Sequence, residues 1–410
     1  MRKIVVATSL TIGIVGIALG QSDSIKIAYI EPLSGGGASV GDGGLKHFQF
    51  FAEQINASGG INGKKLEILA LDNKTNPQES IVQAQKAIDQ GARFLTQGNG
   101  SSVASALTEF AVKNNDRNPD KQVLYLNYAA VDPVLTNDKC NFWHFRWDAN
   151  SDIKMQALTT FIKDRSNVKK VYLINQDYSF GQSVRTQARK MLKEKRPDIQ
   201  VVGDEVHPLL KVTDFAPYIA KIKASGADSV ITGNWGQDVA LLLKASADAG
   251  LQVDWYTYYA GGAGGPTAMK QSNLSDRVFT ILEWNPNNEP AESEKMETEF
   301  RDKFGIGFWY PRVVNELMML RQAITEAKST DAKEVASKLE GMKTKGFDGQ
   351  DIWMRKEDHQ LLQNMYMFSF GPKADGVKFD EEHTGWGWKT IGTIKAEDTV
   401  LPTTCKMDRS

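Results

Sequence analysis

Two cysteines and five histidines among 410 residues are too few, and too scattered, to compose a zinc site by spacing. An excess of one charge is also missing. Without Arg2 and Lys3 there remain 47 basic against 50 acidic residues, a formal charge of −3 that offers no attraction to nucleic acid or to an anionic membrane surface. Beyond the N-terminus no stretch is apolar enough to span a bilayer. H-E-x-x-H is absent, and no glycine cluster is completed as a nucleotide phosphate loop. Asp177, Asp214 and Glu283 are the carboxylates one would try to pair for catalysis, yet nothing in the sequence pairs them. No cofactor or metal is expected, and no enzyme.

The compartment is legible at the N-terminus. Met1-Arg2-Lys3 is basic, Ile4 to Leu19 is uncharged and largely apolar, and Ala18-Leu19-Gly20 puts small residues before a cut at Gln21. This is the layout of a secretory signal peptide over residues 1–20, with about 16 apolar residues too short for a membrane anchor. No cysteine follows the cut, so no lipid anchor is expected. The mature chain is expected to be exported to the periplasm. There, Cys140 and Cys405 are expected to form one disulfide that ties the C-terminal tail to the body.

The chain from Ile25 alternates strand, turn and helix. Strands are expected at Ile25–Ile30, Leu66–Leu71, Ala92–Thr96 and Val123–Asn127. After Asp148 the pattern restarts, with strands at Val171–Ile174, Gln200–Val206, Ser229–Thr232 and Val253–Tyr258. Such alternation implies parallel sheets covered by helices, and two runs imply two α/β lobes. Asn76-Pro77 is a cap and first-turn proline opening a helix whose inner face would carry Ile81, Gln85 and Ile88.

One turn stands out: Thr96-Gln97-Gly98-Asn99-Gly100-Ser101-Ser102, between a buried strand and a helix with Val103, Leu107, Phe110 and Ala111 on one face. Glycines allow the sharp turn, and Ser101 and Ser102 suit an N-cap. Its backbone N–H groups and the helix dipole would favour an anion, although an ordinary capped turn has the same spacing. The first glycine cluster, Ser34 to Gly41, lacks the third glycine of a dinucleotide fingerprint, because Val40 stands there. Tyr178, Phe180, Trp235, Tyr256, Tyr258 and Tyr259 fall at strand ends, where open parallel sheets bind ligands.

With these pieces in place, the chain resembles the periplasmic solute-binding proteins of branched-chain amino acid ABC importers, the leucine/isoleucine/valine-binding group. The resemblance covers residues 25–405. It rests on Asn56-Ala57-Ser58-Gly59-Gly60-Ile61-Asn62-Gly63-Lys64, on Asp72 with Pro77, on Gly98 to Ser102 and on Asp132-Pro133-Val134-Leu135-Thr136. Phe145-Arg146, Gly181, Asp214-Phe215 and Gly346-Phe347-Asp348-Gly349 extend it.

The resemblance implies a two-lobed type I clamshell with a three-crossover hinge. Lobe 1 would comprise residues 24–146 and 285–355, and lobe 2 residues 147–284 and 356–410 with the tail. It implies that Ser102, beside Ser101, holds the ligand carboxylate, with Ala129 and Val131 completing the grip. Phe180, Tyr178 and Trp235 would face the ligand from lobe 2, and Trp309 and Tyr310 from lobe 1. The acid that neutralises an α-ammonium should fall near Tyr259, where the chain reads Tyr258-Tyr259-Ala260-Gly261. Glu31, Asp177 or Glu283 would have to replace it, or the ligand is an aromatic or other organic acid. The expected partner is an ABC permease at the inner membrane, serving a monomer that binds no nucleic acid and does not insert in the membrane. A periplasmic sensor acting through a signalling partner is the alternative, and a secreted hydrolase a remoter one.

Overall fold

The computed structural model describes residues 24–262, 264–288, 291–374 and 376–409. The signal-peptide reading of residues 1–20 falls outside them. Strands β1 (Ile25–Glu31), β2 (Leu66–Asp72), β3 (Phe94–Gln97), β4 (Leu124–Asn127) and β5 (His144–Arg146) form an all-parallel sheet in the order β2-β1-β3-β4-β5. All four residues of β3 are buried, as expected for a strand covered by helices on both faces.

Strands β6 (Lys170–Gln176), β7 (Gln200–His207), β8 (Ser229–Thr232), β9 (Asp254–Thr257) and β10 (Val278–Leu282) form the parallel part of a second sheet. A small antiparallel sheet of β11 (Lys343–Lys345), β12 (Asp351–Met354) and β13 (Leu361–Leu362) packs with the first. Then β14 (Met365–Pro372) and β15 (Trp386–Ile394) return to the second sheet and extend it antiparallel beyond β10. The strand alternation did not announce this late pair. In β15, Trp-Gly-Trp-Lys-Thr-Ile-Gly-Thr-Ile is an edge sequence, buried at one end and alternately exposed at the other.

Three crossings join the sheets: between β5 and the helix Ser151–Lys163, between β10 and the helix Ala291–Phe304, and at Gln363-Asn364. The third comes after β13, which pairs with β12, so the chain leaves the small sheet packed with the first one later than the expected 355/356 boundary. The tail also returns to the first lobe. Cys405 is disulfide-bonded to Cys140, and Thr403 donates to the Thr136 carbonyl at 2.9 Å.

The Asn56–Lys64 run is structural. Asn56 exchanges two hydrogen bonds with the backbone of Leu66 (2.7 and 2.9 Å), and so fixes where β2 begins after the helix Ala38–Ala57. On the helix Pro77–Asp89 the inward face is Ser80, Ala84, Ala87 and Ile88. Gln85 is exposed, a shift of the expected face by one residue. Among the described residues no helix is long and apolar enough to cross a membrane, and no cluster of three or more His, Cys, Asp or Glu is placed to hold a metal.

Candidate functional site

A cavity with about 620 Å³ of empty space, its open side included, lies between the two sheets. Nearly every segment lining it leaves the carboxyl end of a strand. Gly98 to Ser101 follow β3, Ala129 to Val131 follow β4, Tyr178 and Phe180 follow β6, and Trp235 follows β8. Tyr259, Gly261 and Gly262 follow β9, and Leu282 ends β10. Val40 and the segment from Trp309 to Arg312 complete the wall. Residues of both lobes therefore share one cleft, at the place where parallel sheets present backbone N–H groups and variable loops.

The turn after β3 is open to the cleft. The helix Ser101–Arg117 has Gly100 as its N-cap, at φ 101°, a conformation that favours glycine, and no side chain caps it. Ser101 and Ser102 are thus first-turn residues rather than caps. The N–H groups of Gly100, Ser101 and Ser102 have no partner among the described residues, as the first turn of a helix leaves them. Ser101 is buried in the lining, and its hydroxyl accepts from the Asp132 N–H at 3.3 Å, leaving its own proton to donate. Ser102 is exposed and does not line the cavity. Of the two serines it is therefore Ser101, and not the expected Ser102, whose side chain reaches the cavity, because consecutive helical residues point about 100° apart.

Glu31, at the end of β1, is fully buried and meets the same turn, accepting from the Gly98 N–H at 2.5 Å and the Asn99 N–H at 3.1 Å. Burial pushes its carboxyl up to about 7, against the lowering pull of bonds from Tyr128, Gly98 and Asn99. The loop after β4 is held just as firmly. Asn127 accepts from the Ala130 N–H at 2.7 Å and donates to its carbonyl at 2.9 Å. The buried Arg146 donates to the Asp132 carbonyl at 2.6 Å and also bonds Thr136. The Val131 N–H remains without a partner among the described residues, so the loop presents a backbone donor where Val131 has no hydroxyl.

Six aromatic rings wall the remainder: Tyr178, Phe180, Trp235, Tyr259, Trp309 and Tyr310. The Trp235 indole N–H donates to the Tyr178 hydroxyl at 2.7 Å, and Phe180 lies edge-on to Tyr259 with centroids 6.1 Å apart. His47 places Trp309. Its Nε2 accepts the Trp309 N–H at 2.8 Å, while burial lowers its pKa to about 3 and keeps the ring neutral.

Sequence reasoning passed over Arg312. Pro311 opens the helix Pro311–Ala327, so the residue after it falls in the first turn, next to the expected Trp309 and Tyr310. That adjacency was the available signal. The guanidinium, 2 % exposed, donates to Glu283 at 2.5 Å and lies 3.7 Å from Asp148. It also stacks 5.0 Å from the centre of the Tyr310 ring. Burial works against its charge, but Asp148 and Glu283 outweigh burial and hold its pKa above the ordinary arginine value. Asp148 is shared: Lys154 meets it at 2.7 Å, and the Tyr259 hydroxyl donates to it at 3.1 Å.

No carboxylate lines the cavity among the described residues. Of the three acids considered for an ammonium, Glu31 lies beneath the turn, and Glu283 is taken by Arg312. Asp177 is exposed and accepts from Gln182 at 2.9 Å. Gly37-Ala38-Ser39-Val40-Gly41 has the letters of a hydrolase nucleophile turn. Ser39, however, is exposed on the first turn of the helix Ala38–Ala57, with no histidine bonded to it among the described residues.

Comparison with known proteins agrees with this geometry. A family model described as periplasmic binding protein matches residues 24–376. Leu/Ile/Val-binding protein homolog 4 of Brucella abortus (strain 2308) is 31 % identical over 410 aligned positions, spanning 97 % of this chain and 96 % of that one. The closed conformation of a leucine-, isoleucine-, valine-, threonine- and alanine-binding protein from Brucella ovis superposes with a TM-score of 0.83 at 31 % identity, covering 95 % of this chain and 100 % of that one. The fold is also that of a Rhodopseudomonas palustris ABC-transporter solute-binding protein in complex with 4-hydroxybenzoate, with a TM-score of 0.76 at 19 % identity, covering 91 % of this chain and 97 % of that one. These relatives are solute-binding proteins rather than enzymes. With its two sheets, shared cleft and full-length relatives, the chain belongs to the periplasmic binding protein family.

Proposed function

We propose that the protein is the exported solute-binding component of an ABC importer, which captures a small carboxylate between its lobes and delivers it to a permease in the inner membrane. The observation that carries this reading is the set of unpaired donors at one turn: the N–H groups of Gly100 and Ser101 and the Ser101 hydroxyl, in a cleft otherwise walled by aromatic rings. A carboxylate satisfies those donors, and an apolar body meets the rings. Residues of both lobes would close on the solute, and the closed form would be what the permease recognises.

Ser101→Ala removes a charge-assisted hydrogen bond and should weaken binding of the cognate solute by about 10- to 100-fold. Ser102→Ala, on an exposed side chain, should leave affinity within about twofold. Isothermal titration of both variants checks the pair, and the reverse ranking would remove the turn from the site.

A pH dependence follows from Glu31. Its folded-state pKa of about 7 lies above the ordinary 4.5, so its neutral form is the one the fold favours. The stability this confers is complete below 4.5 and is lost as pH rises through 7. Binding should follow the same sign, because a charged Glu31 beneath the turn repels the solute carboxylate. Between pH 6 and 8 affinity should fall by about three- to tenfold, and Glu31→Gln should flatten the change. The other titratable groups near it, Tyr29, Tyr125, Tyr128, Tyr310 and Glu316, remain in that variant. Titrations of wild type and variant across this range decide it, and equal slopes would reject the role of Glu31.

A further inference from the structure

The cleft is rich in donors and poor in acceptors. Arg312 lies in its wall with one terminal nitrogen bonded to Glu283, while its Nε is buried without a partner. A guanidinium offers five N–H donors and no acceptor. The Tyr178 hydroxyl already accepts from Trp235, so its proton is left to donate, and the Tyr259 proton is spent on Asp148. The turn at Gly100 and Ser101 adds further donors. Against these, no Asp or Glu among the described residues reaches the lining.

An α-ammonium brings three donors and a positive charge. In this cleft it would find no carboxylate and would lie in the same wall as a guanidinium that has no acceptor function. A buried cation without a counter-charge is strongly disfavoured.

We propose that Arg312 is a specificity-determining residue, and that it selects an aromatic or similarly apolar acid that carries no ammonium group. This rests on the carboxylate-binding reading above and deepens it. The six rings take the apolar body, the turn after β3 takes the carboxylate, and the positive charge of Arg312 in the wall excludes amines. The Glu283 and Asp148 carboxylates hold the guanidinium in place, as positioning residues.

Matched pairs that differ only in the amine give the test. Wild-type protein, unfolded and refolded to strip bound solute, is titrated with 3-phenylpropanoate against L-phenylalanine, and with 4-methylpentanoate against L-leucine. In each pair that binds, the amine-free acid should bind on the order of a hundredfold more tightly. Tighter binding of the amino acid overturns the assignment of Arg312 and leaves the carboxylate reading standing. Failure of both acids and both amino acids to bind overturns the two together.

Arg312→Gln, paired with Glu283→Gln so that no buried charge is stranded, should narrow the discrimination by about tenfold or more. An unchanged ratio in a folded double variant would also overturn the proposal. If that variant fails to fold, the wild-type pairs still decide.

Discussion

Gly261→Val should abolish tight binding while the protein stays folded. A Cβ at residue 261 would lie 1.6 Å from the Trp309 ring, which comes from the other lobe. Gly261 has no positive φ, so its backbone tolerates valine, and the nearest obstruction is the Trp309 ring. Because the contact runs between lobes, it exists only when they are shut. An open form would accommodate the side chain, and stability should change by no more than about 1 kcal/mol. Binding should weaken by about a hundredfold or more, since a solute that relies on both walls is left with one. Small-angle scattering with solute present should show the extended form persisting, and Trp309→Ala in the same chain should restore part of the closure. Wild-type affinity in Gly261→Val would mean that the lobes need not meet there.

Lys154→Met should cost about 3–5 kcal/mol of stability, the largest single effect expected outside the core. Lys154 and Asp148 are both fully buried and 2.7 Å apart. Asp148 belongs to the first crossing, and Arg312 approaches it from the helix Pro311–Ala327, which packs in the first lobe. Two cations therefore balance two carboxylates, Asp148 and Glu283, where the lobes are joined. Removing Lys154 leaves two buried anions facing one guanidinium. Changing Asp148→Asn as well should recover most of the loss, because it is the stranded charge that is expensive. Urea unfolding of the two single variants and the double variant measures the coupling. Additive losses would show that the pair acts as filler and not as a balanced network.

The place of this network explains why it was hard to foresee. Asp148 and Glu283 come from two of the connections between the lobes and Lys154 and Arg312 from two helices, and no spacing motif in the chain connects the four. Arg312 in particular reads as one more charged residue at a helix start. Only the closure of the cleft around Pro311 makes it part of a wall.

Local order was a sufficient guide to the alternation of strand and helix and to the turn at Gly98–Ser102, and the Cys140–Cys405 bond followed from there being only two cysteines in an exported chain. Buried parallel strands are continuous apolar runs, and helices repeat their apolar face every three or four residues, so both are properties of neighbours in the chain. The aromatic residues at strand ends were legible for the same reason, and all but Tyr256 and Tyr258 among those singled out line the cavity. The antiparallel pair β14 and β15 was not, because it stands outside the strand–helix alternation, and the edge strand β15, half exposed at its far end, loses the apolar run. The choice between Ser101 and Ser102 depended on one residue of helical phase, set by Gly100 at the cap. The absence of an acid near Tyr259 was visible in the letters. That no other acid reaches the cleft could be decided only in three dimensions, where Glu31 turns beneath the loop and Glu283 turns to Arg312. Counter-charges are matched through space, and sequence distance carries no information about them.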